Sequence, residues 1–141
     1  GYGDQSLQDE INDYVKRYPN IHFQPAVSAD WITSYAAGAD FGISINNDIS
    51  VSYRYSLSNK FFEYVHSGLG IIVSDNMEHQ CEIIKSFNLG YSIPFDSALN
   101  LISSLSTDDA KKLKENISSF AKTSYWEVDA PILKGIYQRD G

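Results

Sequence analysis

Residues 58–74 read SNKFFEYVHSGLGIIVS, and this stretch decides the fold class. Its first part predicts a helix from Ser58 to Ser67, because apolar side chains recur at helical spacing and Gly68 is a typical helix stop. The apolar stripe consists of Phe61, Phe62, Val65 and Leu69. Directly afterwards, Ile71–Ser74 is an apolar run of strand length. A helix that leads straight into a buried strand is typical of α/β domains.

The same alternation of helices and strands continues on both sides of this stretch. Further strands are expected at Ile21–Gln24, Phe41–Ile45 and Tyr91–Ile93. Further helices are expected at Ser6–Tyr18, Ser28–Gly38 and Glu78–Phe87, then at about 96–104, 107–122 and 126–138, the last interrupted by Pro131. Since no hairpin signals join the strands, the connections are right-handed crossovers and the sheet is parallel. We predict a doubly wound, Rossmann-like α/β sheet with a helical C-terminal tail over residues 96–141.

Two segments before Ser58 carry more specific expectations. Phe41–Ile45 combines apolar and small side chains, which predicts a strand buried on both faces. The polar segment from Asn46 to Leu57 is expected to be a loop, and its length is typical of loops with a function.

Composition and charge narrow the class of protein. The chain has 141 residues and a net charge of −7, so it has enough residues for one domain. Its acidity argues against a nucleic-acid partner, because phosphate backbones require clustered Lys and Arg. The lone cysteine, Cys81, fits a reducing compartment and is most simply a buried apolar side chain. No segment has the ~20 apolar residues that span a bilayer. The first residue, Gly1, suggests a piece of a longer chain.

The start of the helix at Ser58 is the strongest candidate site. In open parallel sheets, ligands bind beyond the carboxyl ends of the strands, where loops lead into helix N-termini. Lys60 lies in the first helical turn, where its charge opposes the helix dipole unless an anion binds there. Lys60 and Arg54 are the only basic residues between positions 18 and 84. With the backbone N–H groups they could bind a diphosphate, and Glu63 could accept hydrogen bonds from sugar hydroxyls.

The residues alone leave a second interpretation open. Lys60 and Glu63 could instead form a weak pair on a solvated helix face. No metal site is predicted, because the three histidines lack metal-ligand spacing and Cys81 adds no ligand.

Ser58–Gly68, with Ile71–Asp75 after it, resembles the Asn-Lys-Phe-Phe-Glu-Tyr … Gly-x-Pro-Val-Ile-Val-Ser segment of bacterial retaining glycosyltransferases with the GT-B fold (group 1, family 4-like). The resemblance covers nearly the whole chain. Similar segments also occur at Asn20–Phe23, Tyr35–Asp40, Glu82–Gly90 and Trp126–Tyr137. It implies that residues 1–141 are part of a C-terminal domain that binds a nucleotide-sugar.

The resemblance also implies roles for single residues. Glu63 would bind the ribose, the helix start would face the diphosphate, the loop at Val27 would lie against the base, and the turn at Gly3 would approach from across the cleft. The implied donor-binding residues are Gly3, Val27, Ser58, Asn59, Lys60 and Glu63. Lys60 and Arg54 would be catalytic, because they would stabilise charge on the leaving diphosphate in place of a metal.

The sequence departs from the family pattern at two positions. Tyr55 stands where many relatives have a second Glu near the transferred sugar, which puts a carboxylate contact there in doubt. Gly70 replaces the usual Pro, which loosens the loop without changing its chemistry. The strand and helix that open the family's domain, and the acceptor-binding domain before them, are expected upstream of this sequence.

The implied reaction is transfer of a hexosyl or N-acetylhexosaminyl group from a UDP- or GDP-sugar, without a cofactor or metal. The acceptor would be a surface polysaccharide or a lipid-linked sugar. The parent protein would be cytoplasmic, with peripheral association at the inner face of the membrane as an option, and this piece alone would be inactive. Two alternatives stay open: a sugar-nucleotide epimerase on the same scaffold, for which the loop offers only Asp48 as an acid, and a non-catalytic α/β binding module.

Overall fold

The computed structural model describes residues 4–46 and 50–124, and the chain divides into two units, residues 1–32 and 33–141. The helix predicted at 126–138, its Pro131 and the turn at Gly3 lie outside the described residues.

The first unit contains helix α1, Gln5–Arg17, and the beginning of helix α2, Ala29–Ala36. Helix α1 is capped by Asp4, whose carboxylate accepts a hydrogen bond from the Leu7 amide at 2.9 Å and another from the Ser6 hydroxyl at 2.8 Å. These bonds, the amide bond foremost, lower the pKa of Asp4 because they favour its charged form. Both helices agree with the prediction to within two residues.

The strand predicted at Ile21–Gln24 is not formed. The described part of the first unit, residues 4–32, contains no strand with which it could pair, and an unpaired extended segment has no ladder to stabilise it. Instead, the Ile21 amide donates a hydrogen bond to the Tyr18 carbonyl at 3.0 Å, which closes a turn after α1. The prediction was wrong because apolar residues define a strand only when a neighbouring strand is present.

The second unit is built on three parallel strands in the order β1-β2-β3. They are β1, Phe41–Ser44; β2, Gly70–Ser74; and β3, Gly90–Ile93. Gly42 lies opposite Ile71 across the β1–β2 pair, and Ile72 lies opposite Tyr91 across the β2–β3 pair. The consecutive order with parallel pairing requires a crossover between each pair of strands, so the predicted parallel α/β sheet is confirmed.

Helices flank this sheet and form the C-terminal part of the described chain. They are α3, Val51–Tyr55; α4, Asn59–His66; α5, Glu78–Phe87; α6, Ala98–Ser104; and α7, Thr107–Ala121, with a 3-10 turn at Phe95–Ser97. Helices α4 and α5 are the crossovers. Helix α4 ends at His66. Gly68, two residues later, has a φ of 75°, the left-handed conformation that glycine adopts without strain.

The core lies where α4, α5 and α7 meet the central strand. Every residue of β2 is buried. Its Ile71 and Val73 belong to one apolar cluster with side chains from all three helices. The helical members are Phe61 and Val65 of α4, Cys81 and Ile84 of α5, and Leu113 and Ile117 of α7. The Phe61 ring also meets the rings of Phe62 and Phe120 edge-on, with centroids 5.5 and 6.2 Å away. Burial of this cluster therefore fixes the crossover helices against the sheet and α7.

Two predictions for the segment before α4 need correction. Strand β1 is not buried on both faces. Gly42 is buried, but the side chain of Ile43, which points to the opposite face, is 43% exposed. The predicted loop from Asn46 to Leu57 contains the short helix α3, which is capped by Ser50 through a 3.4 Å bond from the Tyr53 amide. Five residues are too few to show an apolar period, so this helix could not be predicted from hydrophobic spacing.

Candidate functional site

Helix α4 begins on the carboxyl side of β1, which is the edge of a parallel sheet where ligands bind. Ser58 caps the helix, because its hydroxyl accepts a 3.3 Å hydrogen bond from the Phe61 amide. The first N–H groups of a helix have no partner within the helix, so those of Asn59 and Lys60 are the natural donors for a ligand. Ser58 is thus the cap of α4, and Asn59 and Lys60 are its first two residues.

Lys60 and Glu63 lie on consecutive turns of α4. Lys60 is exposed and Glu63 is half-buried. The alternative surface pair between them is not formed, and neither side chain pairs with a charged group of residues 4–46 or 50–124. A lysine in a first helical turn with no anionic neighbour in the described structure leaves its charge available for a ligand.

Arg54, the second predicted cation, lies near the end of α3 and has an anionic neighbour. Its Nη1 lies 3.6 Å from Oε1 of Glu78, the first residue of α5. Both side chains are about half exposed, so solvent screens the pair and its contribution to stability is small. The pair nevertheless places the guanidinium beside α5.

Near its start, the segment between β1 and α4 is held at Asn46 by hydrogen bonds to the end of β2 and to Asn76. The Asn46 amide donates to the Ser74 hydroxyl at 2.9 Å, and the Asn76 side-chain amide donates to the Asn46 carbonyl at 3.1 Å. Ser74 is completely buried, so the oxygen that holds Asn46 belongs to the rigid centre of the sheet.

The same segment is fastened at its other end to the start of α5. Nδ1 of His79 lies 3.1 Å from the Tyr55 carbonyl, and the Gln80 side-chain amide donates to the Ser56 carbonyl at 3.3 Å. A carbonyl oxygen only accepts hydrogen bonds, so a bond between His79 and Tyr55 requires a proton on Nδ1 of His79. Residues 74–80 therefore hold both ends of the segment that leads to Ser58.

Tyr64 orients helix α4 against β1. Its hydroxyl donates to the Ile43 carbonyl at 3.0 Å, and its ring lies where a side chain at position 42 would be, so any Cβ at Gly42 would overlap it. Burial, and next the charge of Glu63, raise the pKa of Tyr64 above its usual value. A tyrosine hydroxyl is protonated at neutral pH even at its ordinary pKa of about 10, so the Tyr64 hydroxyl can donate this bond. This contact fixes which side of α4 faces the sheet.

The remaining predicted residues are Val27 and Gly3. Val27 lies in the first unit, in non-helical chain before α2, and is partly buried. Gly3 lies outside the described residues. No cluster of three or more metal-ligating side chains occurs within residues 4–46 and 50–124, and none of the helices there has the length and apolarity to cross a bilayer.

Sequence reasoning missed the residues that support the site. Helical spacing predicts only that α5 begins at Glu78. In the structure its first three residues, Glu78, His79 and Gln80, each contact a residue 24 positions earlier, at the end of α3. The contact between these two segments could have been predicted from the topology of the sheet. The carboxyl ends of adjacent parallel strands lie side by side, so the loop after β2 must lie beside the loop after β1.

Comparison with known proteins identifies the domain. Residues 4–124 match the family model of the glucosyltransferase 3-like C-terminal domain. Neither the search of curated proteins nor that of solved structures returned a match. The match supports the predicted class of protein, a glycosyltransferase. With most of its length matched by this model and a parallel α/β sheet flanked by helices, the chain belongs to the family of glucosyltransferase 3-like C-terminal domains.

Proposed function

We propose that this chain binds the nucleotide-sugar donor for a retaining glycosyltransferase of the GT-B type. Membership of the glucosyltransferase 3-like family supports the class of enzyme. One observation supports the location of the donor site: α4 starts at the carboxyl edge of the sheet with an exposed Lys60 that no anion of the described residues neutralises. A diphosphate would supply the missing negative charge.

The chemistry follows from where charge develops. In the transfer step the bond between the anomeric carbon and the terminal phosphate oxygen breaks, and the acceptor oxygen bonds to that carbon. The acceptor hydroxyl loses its proton to the diphosphate or to solvent, and negative charge accumulates on the leaving diphosphate. The N–H groups at the start of α4, Lys60 and Arg54 would stabilise that charge without a metal.

The remaining donor contacts follow the resemblance. Glu63, one turn after Lys60 and half-buried, would accept hydrogen bonds from the ribose hydroxyls. The chain at Val27 would lie against the base, and the turn at Gly3 would approach the donor from across the cleft. Ser58 and Asn59 would contribute through the helix start.

We propose a donor, a transferred group and an acceptor for this enzyme. The donor would be a UDP- or GDP-sugar and the transferred group a hexose or N-acetylhexosamine. A second, acceptor-binding domain of the full-length protein would present a surface-polysaccharide or lipid-linked acceptor. The enzyme would work in the cytoplasm, where nucleotide-sugars are made, with peripheral association at the inner face of the membrane bringing it to lipid-linked acceptors.

A titration of the full-length protein with UDP and with GDP tests the donor site. We expect one of the two to bind, and Glu63→Ala to weaken that binding by about tenfold or more, as for loss of a hydrogen bond to a charged group. Glu115→Ala, which removes an exposed carboxylate from α7, is the matched control and should bind like the wild type. Absence of affinity for both nucleotides, or equal affinity in the Glu63 and Glu115 variants, would contradict the assignment.

A further inference from the structure

Gln80 joins the proposed donor site to the core. It lies in the first turn of α5, is 1% exposed, and its side-chain Nε2 donates to the carbonyl of Ser56 at 3.3 Å. Ser56 ends α3 and stands two residues before Ser58, the cap of α4. A single buried side chain therefore holds the link between the helix that carries Arg54 and the helix start that carries Lys60.

Core packing does not explain why a glutamine occupies this position. Its Oε1 is buried and has no hydrogen-bond partner among the described residues. A buried amide with one unsatisfied end is less favourable than an apolar side chain of the same size, which would fill the space without losing hydration. What the glutamine provides that an apolar side chain cannot is the bond from its other end to Ser56.

His79 acts on the neighbouring carbonyl. Its Nδ1 lies 3.1 Å from the carbonyl oxygen of Tyr55, and the side chain is exposed. Gln80 from the buried side and His79 from the surface thus fix two successive peptide groups, those after Tyr55 and Ser56. Because both carbonyls are held, the direction in which the backbone enters α4 is restrained.

We propose that Gln80 is a positioning residue for the donor site, assisted by His79. This inference rests on the proposed function, because it concerns the same diphosphate contacts at α4. Gln80 does not touch the donor. It sets where the N–H groups of Asn59 and Lys60 point and where the end of α3 presents Arg54. Small displacements of such groups weaken binding strongly, since electrostatic contacts depend on prior orientation.

The variant Gln80→Met separates positioning from stability. Methionine keeps the volume and flexibility of the side chain but removes both the bond to Ser56 and the unsatisfied oxygen. In the full-length protein we expect a Tm within about 2 °C of the wild type, as for a volume-conserving change. We expect the Kd for UDP or GDP to rise about fivefold or more, and the donor KM to rise with a smaller change in kcat. Ile84→Met, a buried change one turn later on α5, is the control and should leave the Kd for the nucleotide and the donor KM unchanged.

The outcomes distinguish this inference from the proposed function. If the wild type binds neither nucleotide, the donor site itself is wrong. If the wild type binds and Glu63→Ala weakens binding, while Gln80→Met binds like Ile84→Met, the donor site stands and the positioning role is wrong. Should Gln80→Met fail to unfold cooperatively, the exposed His79→Ala decides instead. A Kd increase of about twofold or more supports the role, and an unchanged Kd overturns it.

Discussion

The guanidinium of Arg54 lies 3.6 Å from the carboxylate of Glu78, so one of the two cations predicted to meet a diphosphate already has an anionic neighbour. The other cation, Lys60, has none among the described residues. The two cations therefore differ in how they would respond to a ligand. Lys60 is available as it stands, whereas Arg54 would have to share its charge or leave Glu78.

We predict that Glu78→Gln tightens nucleotide binding. The substitution removes a negative charge that competes with the diphosphate for Arg54, and two charges at 4 Å in water interact by about 1 kcal/mol, so the Kd should fall by up to about fivefold. Stability should change by less than about 0.5 kcal/mol, because the pair is half exposed. Calorimetric titration with UDP and GDP measures the first effect. Arg54→Ala is the counterpart and should raise the Kd about tenfold, and equal affinities in the two variants would show that Arg54 does not meet the ligand.

The contact between Gly42 and Tyr64 predicts a strong dependence of one position on the other. Gly42→Ala should destabilise the protein by about 1–3 kcal/mol, because the new methyl group overlaps the tyrosine ring. The same change made in a Tyr64→Ala background should cost less than about 1 kcal/mol, since the ring is then absent. Denaturant unfolding of the four proteins completes the cycle. Additive effects would mean that α4 is not oriented against β1 by this ring.

The first turn of α7 predicts a measurable effect of acid. Ser106 and Asp109 form a capping box, in which the Asp109 amide donates to the Ser106 hydroxyl and the Asp109 carboxylate accepts from Ser106. The pKa of Asp109 is lowered from 3.8 to about 2. The largest cause is the bond from the Ser106 hydroxyl, and the next is a hydrogen bond from the Lys112 side chain. A carboxyl whose pKa is lowered by folding stabilises the fold above its unfolded pKa, and this contribution is lost as the pH falls through the folded pKa.

Thermal unfolding between about pH 5 and pH 2 tests this relation. The Tm of the wild type should fall more steeply over this window than that of Asp109→Asn, which cannot titrate. Asp108→Asn removes the same charge from the same turn without touching Ser106, and it serves as the control. Parallel curves for the wild type and Asp109→Asn would refute the linkage.

Removal of divalent cations tests the chemistry proposed for the leaving group. Transfer by the full-length protein should continue within about twofold in the presence of EDTA, because the helix start and its cations take the place of a metal. Lys60→Ala should lower kcat by about tenfold to a hundredfold under the same conditions, as for removal of one group that stabilises developing charge. Loss of activity in EDTA and recovery on adding Mg²⁺ or Mn²⁺ would contradict the proposal.

Local sequence signals predicted the elements that carry their own start, stop and apolar period. Helix α4 has Ser58 before it and Gly68 after it, and α5 was predicted over the same residues that form it, Glu78–Phe87. What failed depended on partners elsewhere in the chain. The run Ile21–Gln24 has no neighbouring strand among the described residues of its unit, and α3 is stabilised by Ser50 and by contacts to α5.

The same distinction applies to the site. The position of Lys60 and Glu63 on consecutive turns follows from helical spacing, and the sheet edge follows from topology, so the sequence could place them. The hydrogen bond from Gln80 to Ser56 joins residues 24 apart, and it depends on how α5 packs beside α3. No pattern within one element encodes such a bond.

Lys60 and Phe61 are consecutive, yet one is exposed and the other, wedged edge-on between Phe62 and Phe120, is 1% exposed. The backbone that would offer its N–H groups to a phosphate is therefore held by the core contacts of the next residue. Its conformational entropy was lost when the chain folded, through the aromatic contacts of the next residue. A nucleotide bound at the proposed site would therefore lose little of its binding free energy to ordering the protein.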